Sequence, residues 1–433
     1  MSYSVAQNTT FLTVASIGQK IISFVYFTFV ARMIGVGNTG QYFFAIAFTT
    51  IFTVIADFGL GPVLTREAAK YPEKTEIYAR TIFWAKFFFA IISYGLIALT
   101  VNLLNYSAEL KTLIYISGVT MFFDSLHAAF FNVFRANKNL IYESIGVVGS
   151  QFLTLIIGTV ALLTKQPLYW LIIAYTIPSF FNLIYSRLAV AHVFKFSYHF
   201  ALDKEILKSF LRFAVPFALA GIIGRLYSYS DSIIMSKMLG KEHLGWWSVP
   251  YKITFAFQFI PIALSTSVYP VMSALSLRGR AEIGALFEKA WRYLFTIVFP
   301  ISFGLFVLAK PVILKLYGET YSPSIVVLQI LLISLIFGYL SFITGSVLNA
   351  TNQQKIQTSL FALALTINVV MNLSLMPKIG ITGAALSALT SNLVLCLVGF
   401  YFARKTIEIK ARNLLKYAGQ SFWPAVAMAA LVY

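Results

Sequence analysis

The chain has 433 residues, of which 59% are apolar and only 11% charged, with a net charge of +18 and a mean hydropathy of +0.80. A soluble domain carries about 25% charged residues and 45–50% apolar ones, so a water-soluble globular enzyme and a disordered chain are both excluded. The single cysteine, Cys396, lies in an apolar run, which excludes a disulfide framework and a thiol-based metal site.

Apolar runs of about 20 residues recur along the sequence, each long enough to cross roughly 30 Å of hydrocarbon. In lipid the backbone must satisfy its own hydrogen bonds, so these runs are read as helices, and they do not alternate as barrel strands would. In chain order they cover 9–30, 41–61, 81–103, 112–134, 145–164 and 168–190, then 210–234, 246–269, 291–314, 324–348, 358–377 and 383–403. A thirteenth run opens near Leu415 and reaches Tyr433 in mid-run, which predicts that the natural chain continues. The first run has neither a basic leader nor a small-residue cleavage site and is expected to be retained. The fold class is therefore an all-α integral membrane protein with twelve transmembrane helices and part of a thirteenth.

The charge of +18 does not read as a nucleic-acid surface, because it is spread over loops on one side. Of the 33 lysines and arginines, 21 fall in or beside the loops after the even-numbered spans and 8 beside those after the odd-numbered spans. Basic loops stay in the cytoplasm, so the amino terminus and the even loops are expected there, in contact with anionic headgroups.

The sequence also repeats itself. ARMIGVGNTG at 31–40 and SKMLGKEHLG at 236–245 share a base, Met, a branched aliphatic and two glycines at an offset of 205. VFRANKN (133–139) and VLNATNQ (347–353) echo each other at an offset of 214. Two correspondences in the same order predict a duplicated six-helix unit. Six is even, so both copies enter the membrane from the same side, as in transporters built from parallel repeats, whose substrate binds between the halves. The expected organisation is an N-terminal lobe at 1–190, a cytoplasmic linker at 191–209, a C-terminal lobe at 210–403, and a basic loop with the start of a further helix at 404–433.

The opening, NTTFL, ARMIGVGNTGQYFFAIAF and DFGLGPVLTR between Asn8 and Arg66, resembles the bacterial and archaeal flippases of polysaccharide (O-antigen) repeat units. FLRFAVPFALAGII (210–223) and PKIGITGAA (377–385) extend the resemblance over most of the chain. That family belongs to the multidrug/oligosaccharidyl-lipid/polysaccharide exporter superfamily, which also holds the lipid II flippases and the cation-coupled multidrug exporters. The resemblance implies two six-helix lobes around a central cavity and alternating access. It also implies a lipid-linked oligosaccharide as substrate, the cell membrane as location, and other polysaccharide-assembly proteins as partners.

Charges inside the spans speak to mechanism, because an ionisable side chain at the bilayer centre costs at least about 2.5–3.5 kcal/mol and usually faces a cavity or a partner. Lys20 lies mid-span, and Thr9, Thr13, Ser16, Lys20 and Ser23 follow helical spacing on one face. Arg225 lies in the repeat-related seventh span, where Gly221, Arg225, Ser228 and Ser232 form a similar stripe beside Pro216 and Gly224. Lys252 lies in the outer half of the eighth span, where it is expected either to enter the cavity or to snorkel beside Trp246 and Trp247. These three cations would suit the pyrophosphate of a lipid carrier, arginine gripping it bidentately and lysine acting as a point charge. The lipid II flippases also use basic cavity residues, and Lys20 falls where that resemblance expects one. Lys86 is expected to snorkel to the cytoplasmic interface. Asp57 is expected to cap or pair near the end of the second span. Asp124, with His127 one turn on, is read as a buried carboxylate and a candidate proton or sodium site. Asp231, like Asp124, is a possible ion-pair partner for Arg225. The stripe Ser334, Gly338, Ser341, Gly345 reads as close helix packing.

No P-loop pattern occurs, so the chain itself is not expected to hydrolyse ATP. No metal-ligand spacing is found, and no cofactor is expected beyond coupling to a proton or sodium gradient. The odd loops are too short for an extracytoplasmic catalytic domain, which argues against a glycosyltransferase or polymerase and for a protein that is not an enzyme. The remaining alternative is a cation-coupled multidrug exporter, for which acids should dominate the cavity.

Overall fold

The computed structural model describes residues 5–196, 202–277 and 279–432. Among the described residues all regular structure is helical, and twelve helical stretches are long and apolar enough to cross a membrane. The protein is a multi-pass membrane protein.

The first half comprises α1 (Val5–Ile34), α2 (Val36–Asp57), α3 (Leu60–Lys70), α4 (Thr75–Leu103), α5 (Ala108–Ala136), α6 (Ile141–Leu163) and α7 (Tyr169–Phe194). The second comprises α8 (Lys204–Met238), α9 (Lys241–Phe257), α10 (Phe259–Leu275), α11 (Arg280–Val307), α12 (Ala309–Tyr317), α13 (Ser324–Ala350), α14 (Gln354–Ile379), α15 (Ile381–Thr406) and α16 (Ala411–Val432). The expected linker at 191–209 thus holds the end of α7 and the start of α8. The chain forms two compact units, Met1–Met33 with Gln41–Tyr229 and Ile34–Gly40 with Ser230–Tyr433, so the division falls inside α8.

Three spans are broken where the sequence reading drew them whole, and each break has a local cause. After α2, Phe58 and Gly59 both take left-handed backbone, φ 45° and 70°. Gly59 is required there because a methyl group would lie 2.7 Å from the Ala214 carbonyl oxygen of α8. Between α9 and α10, Pro261 lacks the N–H that would bond the carbonyl of Phe257 four residues back. Tyr339 Oη of α13 supplies the missing donor at 2.7 Å. Between α11 and α12, Pro311 likewise interrupts the ladder after Leu308.

In the first unit, α3 turns Leu60, Val63, Leu64 and Ala68 onto Ile82, Phe130, Phe134 and Phe210. Phe83 stacks on Phe130 at 5.1 Å and Phe134 on Tyr142 at 4.8 Å. In the second unit, α13 packs on α15 through small residues, as membrane helices do when backbones approach closely. Ser334 of the expected packing stripe is buried there, donates to the Ala388 carbonyl at 3.3 Å, and accepts from Asn392 Nδ2 at 2.9 Å.

The second sequence echo is an echo of backbone geometry. Lys138 and Asn352, 214 residues apart, both have left-handed φ, 54° and 61°. Asn139 N donates to Phe134 O at 2.9 Å and Lys138 N to Arg135 O at 3.1 Å, closing α5 with the paired bonds of a Schellman end. Gln353 N to Leu348 O at 2.7 Å and Asn352 N to Asn349 O at 3.2 Å close α13 the same way.

Candidate functional site

The first repeated phrase marks two helix joints. Gly35 and Gly240 have φ of 77° and 88°, a conformation that glycine adopts without steric penalty. Behind each, the next helix opens with the same bond, Thr39 N to Gly35 O at 3.0 Å and Leu244 N to Gly240 O at 3.3 Å. The second glycines show why the phrase is written twice, for its two copies touch. A methyl group on Gly40 would lie 2.0 Å from the Lys241 carbonyl oxygen, and one on Gly245 would lie 2.1 Å from the Val36 carbonyl oxygen. The contact is reciprocal, with equivalent residues at an offset of 205 on either side of it. The buried Thr39 hydroxyl accepts a hydrogen bond from Tyr321 Oη at 2.9 Å beside this crossing. Burial pushes the Tyr321 phenol up to about 12, the Thr39 bond pulling the other way, so it stays a neutral donor at physiological pH.

Of the candidate cations, Lys20 is half-buried on α1 and Arg225 is exposed on α8, both in the first unit. Thr13, Ser16 and Ser23 flank Lys20 with partial or full exposure, whereas the Thr9 side chain lies outside the described residues. Within the Arg225 stripe, Gly221 lets α8 pack on Val54 of α2, whose methyl would be 2.9 Å from an added Cβ. Lys252 is half-buried in the second unit, on the helix where Trp247, Tyr251 and Phe255 follow one another with ring centroids 6.3 and 5.8 Å apart.

Lys86 does not snorkel. Its side chain is 0% exposed, and its Nζ lies 2.6 Å from Oδ1 of Asp57, whose side chain is 34% exposed. The contact is a close ion pair whose angle falls outside ordinary hydrogen-bond geometry. The physical reason is the face it occupies: Lys86 lies on the buried side of α4, as Ile82 and Ala90 do one turn away, and the Asp57 carboxylate at the end of α2 is the countercharge within reach. Polar contacts continue beyond it. Gly61 leaves room for Asp57 and Asn132, which would lie 3.1 and 2.8 Å from an added methyl. Asn132 Oδ1 accepts from Arg135 Nη1 at 3.4 Å, and Arg135 Nε donates to the buried Glu143 at 2.8 Å.

The other two acids differ from one another. Asp124 lies on α5 with its side chain 48% exposed and His127 Nδ1 3.6 Å away, outside the face of small and apolar residues that α5 buries. Asp231 is 5% exposed and is held by Asn372, whose Nδ2 donates to it. Asn372 Nδ2 also donates to Asn368 Oδ1 at 2.9 Å, and that oxygen accepts from Ser230 Oγ at 2.9 Å. Asn372 Oδ1 is buried with no hydrogen-bond donor. A carboxylate and two amide oxygens so gathered offer the hard oxygen ligands that a proton or small cation prefers. Sequence reading singled out Asp231 but missed both asparagines. Their signal was two amides four residues apart, on one face of an otherwise apolar span.

The family described as "Polysaccharide biosynthesis protein" matches residues 5–276. Among curated proteins, a probable low-salt glycan biosynthesis flippase (Agl15) of Haloferax volcanii is 21% identical over 414 residues, covering 94% of this chain and 84% of its own length. Among solved structures, the lipid II flippase MurJ in an inward closed conformation superposes with a TM-score of 0.77 at 17% identity, over 98% of this chain and 96% of that one. An inward-facing multidrug resistance MATE family transporter of the MOP superfamily gives 0.72 at 15% identity, over 92% and 96%. These structural likenesses are likenesses of fold.

Proposed function

The chain belongs to the polysaccharide biosynthesis protein family, and from that premise we propose that it carries a polyprenyl-pyrophosphate-linked oligosaccharide across the cytoplasmic membrane, from the inner to the outer leaflet, by alternating access. The observation that carries the reading is the family match on a chain with the fold of a lipid II flippase. The full-length relative named as a glycan flippase supports the same class of substrate. The protein works as a transporter and not an enzyme, with its amino terminus inside and enzymes that build and extend the glycan as its functional neighbours.

In this reading Lys20 and Arg225 hold the pyrophosphate and Lys252 adds a third positive charge. Arg225 contributes a planar fork for phosphate oxygens and the lysines contribute point charges. Asp231, with Asn368 and Asn372, is the coupling site for a proton or sodium ion, since a buried carboxylate among amide oxygens changes its interactions most when a cation arrives or leaves. The MATE likeness fits a second reading, a cation-coupled multidrug exporter.

The test is complementation of a flippase-deficient strain, read out as surface glycan with expression checked. Lys20→Ala and Arg225→Ala should each weaken substrate capture about ten- to hundredfold, the loss of one hydrogen bond to a charged group, and Arg225→Lys should retain partial export. Normal export by the Lys20→Ala/Arg225→Ala double variant would overturn the assignment of these cations.

A further inference from the structure

A cavity of about 440 Å³ opens between α11 and α16 in the second unit. The two helices start together. Glu408 N, just before α16, donates to the Arg280 carbonyl at 3.1 Å, and Gly284 lets that turn pass so closely that a methyl would lie 1.8 Å from the Glu408 carbonyl oxygen. Both helices therefore run the same way, and they stay in register. The Arg292 guanidinium lies over the Tyr417 ring at 5.1 Å. One turn deeper, Thr296 Oγ1 and Ser421 Oγ are 3.3 Å apart. Pro300 and Pro424 line the next turn, and Met428 Cε comes within 3.1 Å of a methyl built on Gly304. At a rise of 1.5 Å per residue, Arg292 to Gly304 spans about 18 Å.

The lining thus changes along the groove from a cation with a phenol, through hydroxyls and Gln420, to Pro300, Pro424 and Met428. A glycerophospholipid has the same profile, from anionic phosphate through ester oxygens to acyl chain. The cation is available for an anion. Among the described residues no carboxylate lies within ion-pair distance of Arg292. Glu288, one turn earlier, is committed to Lys410 N and Asn413 Nδ2, each at 2.7 Å. Lys289 and Lys416 stand exposed on the same turns and add positive potential. The groove is held in shape from behind, where Phe422 meets Phe299 and Phe303 edge to face at 5.8 and 5.3 Å.

We propose that this groove binds one anionic glycerophospholipid from the membrane leaflet at the Arg280 end, with its phosphate on Arg292 and the Ser421 hydroxyl, the Thr296 hydroxyl donating to the Arg292 carbonyl at 3.0 Å. One acyl chain lies along Pro300, Pro424 and Met428. The site is separate from the cations assigned to substrate, and its test does not depend on transport.

The full chain, purified and stripped of lipid, is titrated with phosphatidylglycerol and with phosphatidylcholine of the same acyl chains, and bound lipid is counted by native mass spectrometry. One phosphatidylglycerol should bind in clear preference to phosphatidylcholine. Arg292→Gln should weaken that binding about ten- to hundredfold, as the loss of a charged hydrogen bond does. Lys289→Gln, at the rim, should change it far less. Met428→Trp, which fills the apolar end and leaves the charge, should block both lipids and stands in if Arg292→Gln does not fold. Equal binding of the two lipids, or unaltered phosphatidylglycerol binding by Arg292→Gln or Met428→Trp, would overturn the proposal. So would polyprenyl phosphate displacing phosphatidylglycerol at equal concentration, which would make the occupant the carrier lipid.

Discussion

Asp57→Asn should destabilise the first unit more than Lys86→Met, although the two replace opposite ends of one ion pair. The asymmetry follows from exposure: the Lys86 side chain is 0% exposed and that of Asp57 34%. Removing the carboxylate strands a cation where water cannot follow, a loss of about 3–5 kcal/mol for a broken buried pair. The amide oxygen left by Asn can still accept one hydrogen bond, so the expected value is near 3 kcal/mol. Removing the lysine leaves a carboxylate that is already 34% exposed, and methionine fills the lysine's volume, so the expected cost is about 1 kcal/mol. The double variant has no charge to strand. Replacing a buried pair by neutral groups of similar volume is often neutral, so it should be more stable than Asp57→Asn alone, with a coupling of a few kcal/mol. The measurement is the unfolding midpoint in detergent. For a cooperative unit of roughly 200 residues, about 2–4 °C per kcal/mol puts Asp57→Asn about 6–12 °C below the parent and Lys86→Met about 2–4 °C below. Equal losses for the two single variants, or strictly additive losses in the double, would refute the argument from exposure.

Gly40→Ala and Gly245→Ala should each lower the unfolding midpoint by forcing apart the helix starts that cross there, with the double variant less than additive because both act on one contact. Gly37→Ala should be mild, since its methyl would meet the flexible end of Glu242 at 3.3 Å; equal effects at all three positions, measured by thermal scans, would remove the crossing as the cause. In a Cys396→Ala background, single cysteines at Lys74 or Arg280 should resist an impermeant thiol reagent in intact cells while those at Asn38 or Lys241 react, and the reverse pattern would invert the proposed orientation.

Helix number was legible because it rests on length and apolarity alone. Where helices break was not, because the causes are tertiary. Pro261 could be seen in the sequence, but the Tyr339 hydroxyl of α13 that satisfies the freed Phe257 carbonyl could not. The repeat was legible from its glycines, and the reason for it was not: Gly40 and Gly245 are small because each faces the backbone of the other copy. Lys86 was misread for a similar reason. Position along a helix gives depth in the membrane, but whether a lysine turns outward to the interface or inward to a carboxylate depends on which neighbour occupies its face.

The same correction bears on the choice of substrate. Inside the spans the sequence holds four bases, Lys20, Lys86, Arg225 and Lys252, and three acids, Asp57, Asp124 and Asp231. Counted so, the balance separates an anionic ligand from a cationic drug by a single charge. Packing divides these seven unequally. Lys86 and Asp57 answer each other at 2.6 Å. Asp231 is enclosed to 5% exposure among Asn368, Asn372 and Ser230, so it presents no charge outward. Of the other four, Arg225 is exposed, Lys20 and Lys252 are half-buried, and Asp124 is half-exposed beside His127. Among the seven, Arg225 alone is exposed, so Arg225→Ala bears most directly on the proposed anionic headgroup. In the proposed reading the two kinds of charge do different work, the cations on a phosphate-bearing substrate and the enclosed Asp231 on a coupling ion.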